Sequence, residues 1–185
     1  MKIMIARLSK FSTSGFCALA LLCAAPVLAH ADALAHAERG DGEKAMAAGD
    51  YATAMAVLLP LAEAGDPLAQ FDIGAMYDNG LGVGADPVEA ARWYLRAARQ
   101  GDPSAMFNLG VMYEDGVGVG RDPVQAYFYF ALAVELGPPY AERNRDKVKA
   151  GLSADELARA QALVGGFRPV KEAVGPAESG TGTKP

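Results

Sequence analysis

The sequence predicts an all-α fold, an α-solenoid in which antiparallel helix pairs stack side by side. The first indication is a 36-residue repeat, since segment 66–101 is followed directly by a second copy, 102–137. The second is that glycine and aromatic positions agree between the copies: Gly74 with Gly110, Met76 with Met112, Tyr77 with Tyr113 and Gly82 with Gly118. A period in this range is typical of stacked units that bury their apolar faces against one another.

Residues 1–31 have the pattern of a secretory signal peptide. Three basic residues at the start precede the apolar stretch 16–28 and the small-residue cleavage site Ala29-His30-Ala31. The apolar stretch is shorter than the roughly 20 residues that cross a bilayer, so cleavage after Ala31 is predicted, without stable membrane insertion. The expected location is the bacterial periplasm or the outside of the cell.

Composition narrows the possible partners. Both cysteines, Cys17 and Cys23, lie within the predicted signal peptide, so the remaining chain has no thiol for a disulfide, a nucleophile or a metal site. Loss of the three basic residues of the signal changes the formal net charge from −5 to −8. This acidity argues against nucleic acid or an anionic membrane and favours a basic or neutral partner.

Helix boundaries are marked by aspartate followed by proline. In Gly65-Asp66-Pro67 the glycine ends one helix, the aspartate is the N-cap of the next, and proline takes its first position. The same signal recurs at Gly101-Asp102-Pro103, and Asp86-Pro87 and Asp122-Pro123 begin the second helix of each pair. Helices are therefore predicted over 67–78, 87–100, 103–114 and 123–136.

Each predicted first helix carries an apolar stripe with a glycine in its middle. Gly74 and Gly110 each cost about 1 kcal/mol relative to alanine, which predicts a close approach of another helix at both positions.

Segments 32–65 and 138–164 are predicted to flank the two repeats. Segment 32–65 is interpreted as a degenerate helix pair, with Pro60 expected to kink or break its second helix, 50–64. Segment 138–164 is predicted to form capping helices, the last of which begins with a Ser153–Glu156 capping box. From Gly165 to Pro185 the chain is rich in Gly, Pro, Ser and Thr, which predicts a disordered tail.

A specific order of glycines, aromatic residues and alanines recurs in both copies. In the first it comprises residues 69–77, Gly80 to Val83, Asp86, Ala90, Trp93, Tyr94, Ala97, Ala98 and Gly101. This order resembles the Sel1-like repeat, a relative of the tetratricopeptide repeat, strongly over 66–137 and weakly over 33–65. The resemblance implies helix pairs stacked into a right-handed superhelix that acts as a binding scaffold or adaptor, as in many exported bacterial members.

The first helices of the pairs are expected to line a concave face, with the side chains opposite the core stripe available to a protein partner. The candidate partner-binding residues are Phe71, Asp78, Phe107, Val111, Glu114 and Asp115. Two aromatic anchors one repeat apart, with carboxylates nearby, suit an apolar segment bearing Lys or Arg. The alternative is that both Phe rings only pack against the adjoining helix.

Residues suited to catalysis are scarce. After the signal there is one histidine, His36, and no serine lies in a nucleophile-elbow pattern. The glycine-rich run 78–84 is preceded by no predicted strand and followed by no Lys-Ser or Lys-Thr, so it does not indicate a phosphate site. No catalytic residue, cofactor or metal site is predicted.

Two other functions remain open from the residues. One is a peptidoglycan- or glycan-associated envelope factor, in which Tyr and Trp stack on sugars, although the repeat places Trp93 in the core. The other, more remote, is a hydrolase.

Overall fold

A computed structural model describes residues 37–137 and 139–172, and their regular structure is helical throughout. The predicted signal peptide, residues 1–31, lies outside the described residues, as does 173–185. The helices are α1 (37–47), α2 (Tyr51–Glu63), α3 (Pro67–Asn79), α4 (Pro87–Arg99), α5 (Pro103–Asp115), α6 (Pro123–Leu136), a 3₁₀ turn (Pro139–Ala141), α7 (Glu142–Gly151) and α8 (Ala154–Gly166).

From α2 to α6 each helix packs against the next one in the chain, and α6 also contacts α7 and α8. The pairs α3–α4 and α5–α6 correspond to the two sequence repeats. Because each unit is buried mainly by its chain neighbours, the predicted α-solenoid is confirmed.

The predicted helix starts are confirmed. The side chains of Asp66, Asp86 and Asp122 each accept hydrogen bonds from two backbone amides of the first turn, and that of Asp102 accepts one. The equivalent helices α3 and α5 both end at a glycine with left-handed backbone, Gly80 at φ 67° and Gly116 at φ 75°. The two copies thus share their local geometry as well as their residues.

The glycines inside α3 and α5 explain how the pairs pack. A Cβ built on Gly74 would lie 2.7 Å from Cδ1 of Tyr94, and one built on Gly110 would lie 2.6 Å from Cδ1 of Phe130. Tyr94 and Phe130 are themselves almost fully buried. The predicted close approach is therefore the contact of each glycine with a core aromatic ring of the paired helix.

Helix α2 is not broken at Pro60. Proline cannot donate to the carbonyl of the residue four positions earlier, which is Ala56. Both residues are exposed, so that carbonyl faces water rather than an apolar core. The helix can therefore continue to Glu63.

The prediction of a disordered tail from Gly165 is wrong for residues 165–172. Gly165 and Gly166 belong to α8, and residues 167–172, which we call the C-terminal strap, lie extended against the repeats. The backbone amide of Val170 donates to the carbonyl of Arg99 at 3.0 Å, and that of Glu172 donates to Gln100 Oε1 at 3.0 Å. The amino-acid composition could not predict this segment's order, because the strap is held mainly by polar contacts and not by apolar residues.

Candidate functional site

The candidate aromatic anchors Phe71 and Phe107 occupy equivalent positions on α3 and α5. Phe71 packs against Tyr94 with 5.8 Å between ring centroids, and Phe107 packs against Phe130 at 5.7 Å. Both rings are half-buried. Each ring therefore does pack against the paired helix, while part of it remains accessible.

The candidate binding residues of the second copy are covered by neighbouring side chains more fully than those of the first. The rings of Tyr140 and Phe107 form a T-shaped contact, with 5.0 Å between centroids. The residue 36 positions before Tyr140 is Ser104, whose side chain is far smaller. Val111, also on α5, is half-buried against the cluster formed by α6, α7 and α8.

The candidate carboxylates at the end of α5 differ in exposure and in whether a basic side chain already pairs with them. Lys147 Nζ of α7 lies 2.6 Å from Glu114 Oε1, and only 17% of the Glu114 side chain is exposed. The charge of Glu114 is thus already paired within the chain. Asp115 is exposed.

Asp78 is held at the edge of the core by a tyrosine. The hydroxyl of Tyr94 donates to Asp78 Oδ2 at 3.4 Å. Burial, and then the negative charge of Asp78, raise the pKa of Tyr94, so that its hydroxyl remains a donor. Asp78 is half-buried and two helical turns from Phe71, so both lie on one side of α3.

A further acidic residue on α3, Asp72, was missed by sequence reasoning. Burial raises the pKa of Asp72 to about 7, and the charge of Glu43 adds to this effect while Arg39 opposes it. Asp66 and Asp102 also raise it. The charges of three other carboxylates therefore act on Asp72, and one arginine opposes them.

Arg39 of α1 is oriented by two of these carboxylates. Its Nε donates to Glu43 at 3.0 Å, and its Nη1 lies 3.5 Å from Asp66 Oδ2. The sequence signal for this site is a difference between the copies, because the second repeat has the neutral Asn108 at the position of Asp72. We call Glu43, Asp66, Asp72 and Asp102 the acidic cluster.

The proposed role of Trp93 in stacking on sugars does not fit the fold. Its ring is 8% exposed and belongs to the core between α2 and α3. The guanidinium of Arg96 lies over it, 4.5 Å from the ring centroid. The ring is therefore not accessible to a glycan.

Within residues 37–137 and 139–172, no three His, Cys, Asp or Glu side chains are placed to hold a metal ion. In the same residues, no helix combines the length and apolar character that a membrane-crossing segment requires.

The family model described as Sel1 repeat matches residues 67–102 and 103–138, one residue from the boundaries predicted above. A protective antigen of uropathogenic Escherichia coli strains that displays an SLR fold is similar in structure, with a TM-score of 0.66 and 31% identity over 70% of this chain. A Sel1 repeat protein from Oxalobacter formigenes has a TM-score of 0.58 and 32% identity over 68% of this chain.

The matched regions span 29% and 55% of those two proteins, respectively, less than two thirds of either. A comparison with curated proteins gave no match. Sel1-repeat folds typically serve as non-enzymatic scaffolds for protein–protein interaction. On its repeated motif, its helix pairs and these similarities, the chain is an α-solenoid that contains two Sel1 repeats.

Proposed function

We propose that the protein is a non-enzymatic scaffold of the bacterial cell envelope that holds a basic segment of a partner protein against the side of α3 bearing Phe71 and Asp78. The scaffold role is the usual one for Sel1-repeat folds. The envelope location rests on the signal-like composition of residues 1–31.

The observation that carries the proposal is the acidic cluster, in which Arg39 contacts Glu43 and Asp66. Its carboxylates outnumber the arginine, and burial together with their repulsion raises the pKa of Asp72 to about 7. A lysine or arginine side chain placed beside Asp72 would offset that repulsion and favour the charged carboxylate. The cluster therefore favours a cationic ligand over a neutral or anionic one.

Phe71 supplies an apolar ring on α3, next to Asp72 in the sequence. Its ring is half-buried against Tyr94, so it is held in place before any partner arrives. A preordered aromatic ring costs little conformational entropy on binding. Together with Asp72 and Asp78 it suits a segment in which an apolar residue accompanies a basic one.

The test is site-specific photo-crosslinking in intact cells. A photoreactive residue replaces Ala75, which lies on α3 between Phe71 and Asp78, or exposed Ala158 on α8 as the control position. We expect a defined partner to be captured from position 75 and not from position 158.

Charge dependence is then tested in the same cells. The double variant Asp72→Asn/Asp78→Asn should lose the captured partner, while Asp155→Asn, which removes an exposed carboxylate on α8, should retain it. Capture that is equal from both positions, or that is unaffected by the double variant, would contradict the proposal.

A further inference from the structure

The C-terminal strap runs back along the corners between helices. Phe167 lies against Phe128 of α6, with 6.2 Å between ring centroids. A Cβ built on Gly101 would lie 3.4 Å from Cβ of Pro169, and one built on Gly65 would lie 3.4 Å from Cβ of Glu172. The strap therefore passes from the α4–α5 corner to the α2–α3 corner.

The strap ends with a carboxylate held by charged and amide donors. Arg96 Nε lies 3.1 Å from Glu172 Oε1, and Arg96 Nη2 lies 3.0 Å from Glu172 Oε2. The side-chain amide of Gln70 also donates to Glu172 Oε2. Paired donors from a guanidinium to a carboxylate give both strength and geometric selectivity.

The residues that hold Glu172 are fixed by the body of the repeats. Arg96 Nη2 also donates to the carbonyl of Ala62 at 3.1 Å. Gln100 Nε2 donates to the carbonyl of Gly65 and to Gln70 Oε1, both at 2.9 Å. Because these bonds do not involve the strap, the donors form a preordered receptor, which we call the glutamate corner: Gln70, Arg96 and Gln100.

The second repeat shows that helix packing does not require these polar side chains. The residues 36 positions after Gln70, Arg96 and Gln100 are Met106, Leu132 and Leu136. The helix pairs α3–α4 and α5–α6 form with either set. In the first repeat the polar set therefore bonds both the carbonyls at the α2–α3 corner and the carboxylate of the strap, whereas the second repeat folds with apolar residues at the same positions.

The strap itself has little apolar area to hold it in place. Phe167 is half-buried, whereas residues 168–172 are exposed. Ordering a segment of this length loses conformational entropy that a few exposed polar contacts barely offset. A competing segment can therefore displace it without disturbing the helices.

We propose that the glutamate corner is a recognition site for an extended segment of a partner protein that carries a glutamate five residues after an aromatic residue. The strap occupies this site as an internal ligand, and the partner binds by displacing it. This surface selects an anionic side chain, in contrast to the acidic cluster, which favours a cationic one.

The probe is a fluorescent, C-terminally amidated peptide of residues 166–172, titrated by anisotropy against the full chain. Its amidated end leaves the glutamate side chain as its only carboxylate. In the variant Glu172→Gln the strap is weakened while the glutamate corner is intact, so we expect the peptide to bind at least tenfold more tightly to this variant than to the unaltered chain.

Two controls test the chemistry of recognition. A peptide ending in glutamine, and the double variant Glu172→Gln/Arg96→Leu with the original peptide, should each lose at least tenfold in affinity. Gln100→Leu is a second receptor variant for use if Arg96→Leu impairs folding, because both substitutions copy the second repeat.

Three results would overturn the proposal. One is failure of the peptide to bind folded Glu172→Gln protein at millimolar concentration. Another is equal affinity for peptides ending in glutamate and glutamine. The third is a dimer of the unaltered chain that the peptide dissociates, which would make a second copy of this chain the occupant instead of a different protein.

Discussion

Lys147 pairs with Glu114 across α7 and α5, with 2.6 Å between Nζ and Oε1. The hydrogen bond from Lys147, followed by the charge attraction, raises the pKa of Lys147, which therefore remains cationic. This pair neutralises one of the two acidic residues at the end of α5, Glu114 and Asp115. At the equivalent position of the first repeat, Asp78 instead accepts a hydrogen bond from Tyr94.

Lys147→Ala should make the end of α5 bind cations better, because the Glu114 carboxylate loses its partner. We expect a short lysine peptide to bind about two- to fivefold more tightly, the scale of an exposed ion pair. Isothermal titration calorimetry measures this, with Lys149→Ala on the same helix as the charge-matched control. Equal gains in both variants would mean that net charge, and not the Glu114 carboxylate, controls binding.

Gly74→Ala and Gly110→Ala should each destabilise the protein even though alanine is the better helix former. The added methyl would overlap a core ring, a type of overpacking that costs about 1–3 kcal/mol. This exceeds the gain of about 1 kcal/mol in helix propensity. Denaturant unfolding measures the difference in free energy of unfolding.

Gly40→Ala is the matched control for the two core glycines, since Gly40 is helical and a Cβ there would meet no atom within 4 Å. This variant should be unchanged or more stable. Stabilisation of all three variants to the same extent would contradict the packing argument.

Asp72 should make folding less favourable at neutral pH. Its pKa is about 7 in the folded protein, whereas an unfolded aspartate titrates near 4, so between these values the folded chain binds the additional proton. Stability should therefore fall as the pH rises from about 4 to 7 and then level off. Above pH 8, Asp72→Asn should be more stable than the unaltered chain by about 1–2 kcal/mol, allowing for solvent screening of a half-buried group.

Urea unfolding at pH 5 and pH 8 measures this difference between Asp72→Asn and the unaltered chain. The exposed Asp155→Asn serves as the control. The same pH dependence in all three proteins would rule out Asp72 as its source.

The strap should detach at low pH. Burial opposes ionisation of Glu172, but hydrogen bonds from Arg96 and Gln70 outweigh it, and the net effect lowers the pKa of Glu172. The contact is therefore present above the ordinary glutamate range and is lost as the pH falls below it. At neutral pH, Glu172→Gln should likewise speed amide hydrogen exchange at Val170, whose amide is bonded to Arg99.

Amides within α5 provide the internal reference for this experiment. Faster exchange throughout the protein would indicate general destabilisation. Unchanged exchange at Val170 would show that Glu172 does not hold the strap.

The 36-residue repeat made most of the fold predictable. The acidic cluster and the glutamate corner could not be predicted from it, because both involve residues that are not shared by the two copies. Asp66 and Asp102 could be assigned as N-caps because aspartate before proline acts locally. The pKa of Asp72 depends on its burial and on Glu43 and Arg39, which belong to a helix outside the two clear repeats. The strap is held by the Glu172 carboxylate and a few other contacts, in a segment whose composition predicts disorder. The sequence does give one indication of these sites, because both include positions where the two copies differ. Gln70, for example, is replaced by Met106 in the second copy.

The six residues of the strap also set a length. Extended backbone spans about 3.3–3.6 Å per residue, so the strap reaches only about 20 Å from the end of α8. The length of the strap therefore matches a solenoid with two full repeats. Inserting a third in-phase copy after Gly137 would move Phe167 one repeat further from the glutamate corner. Glu172 would then lie beside Leu132 and Leu136 instead of Arg96. A longer solenoid would therefore leave the glutamate corner unoccupied by the strap.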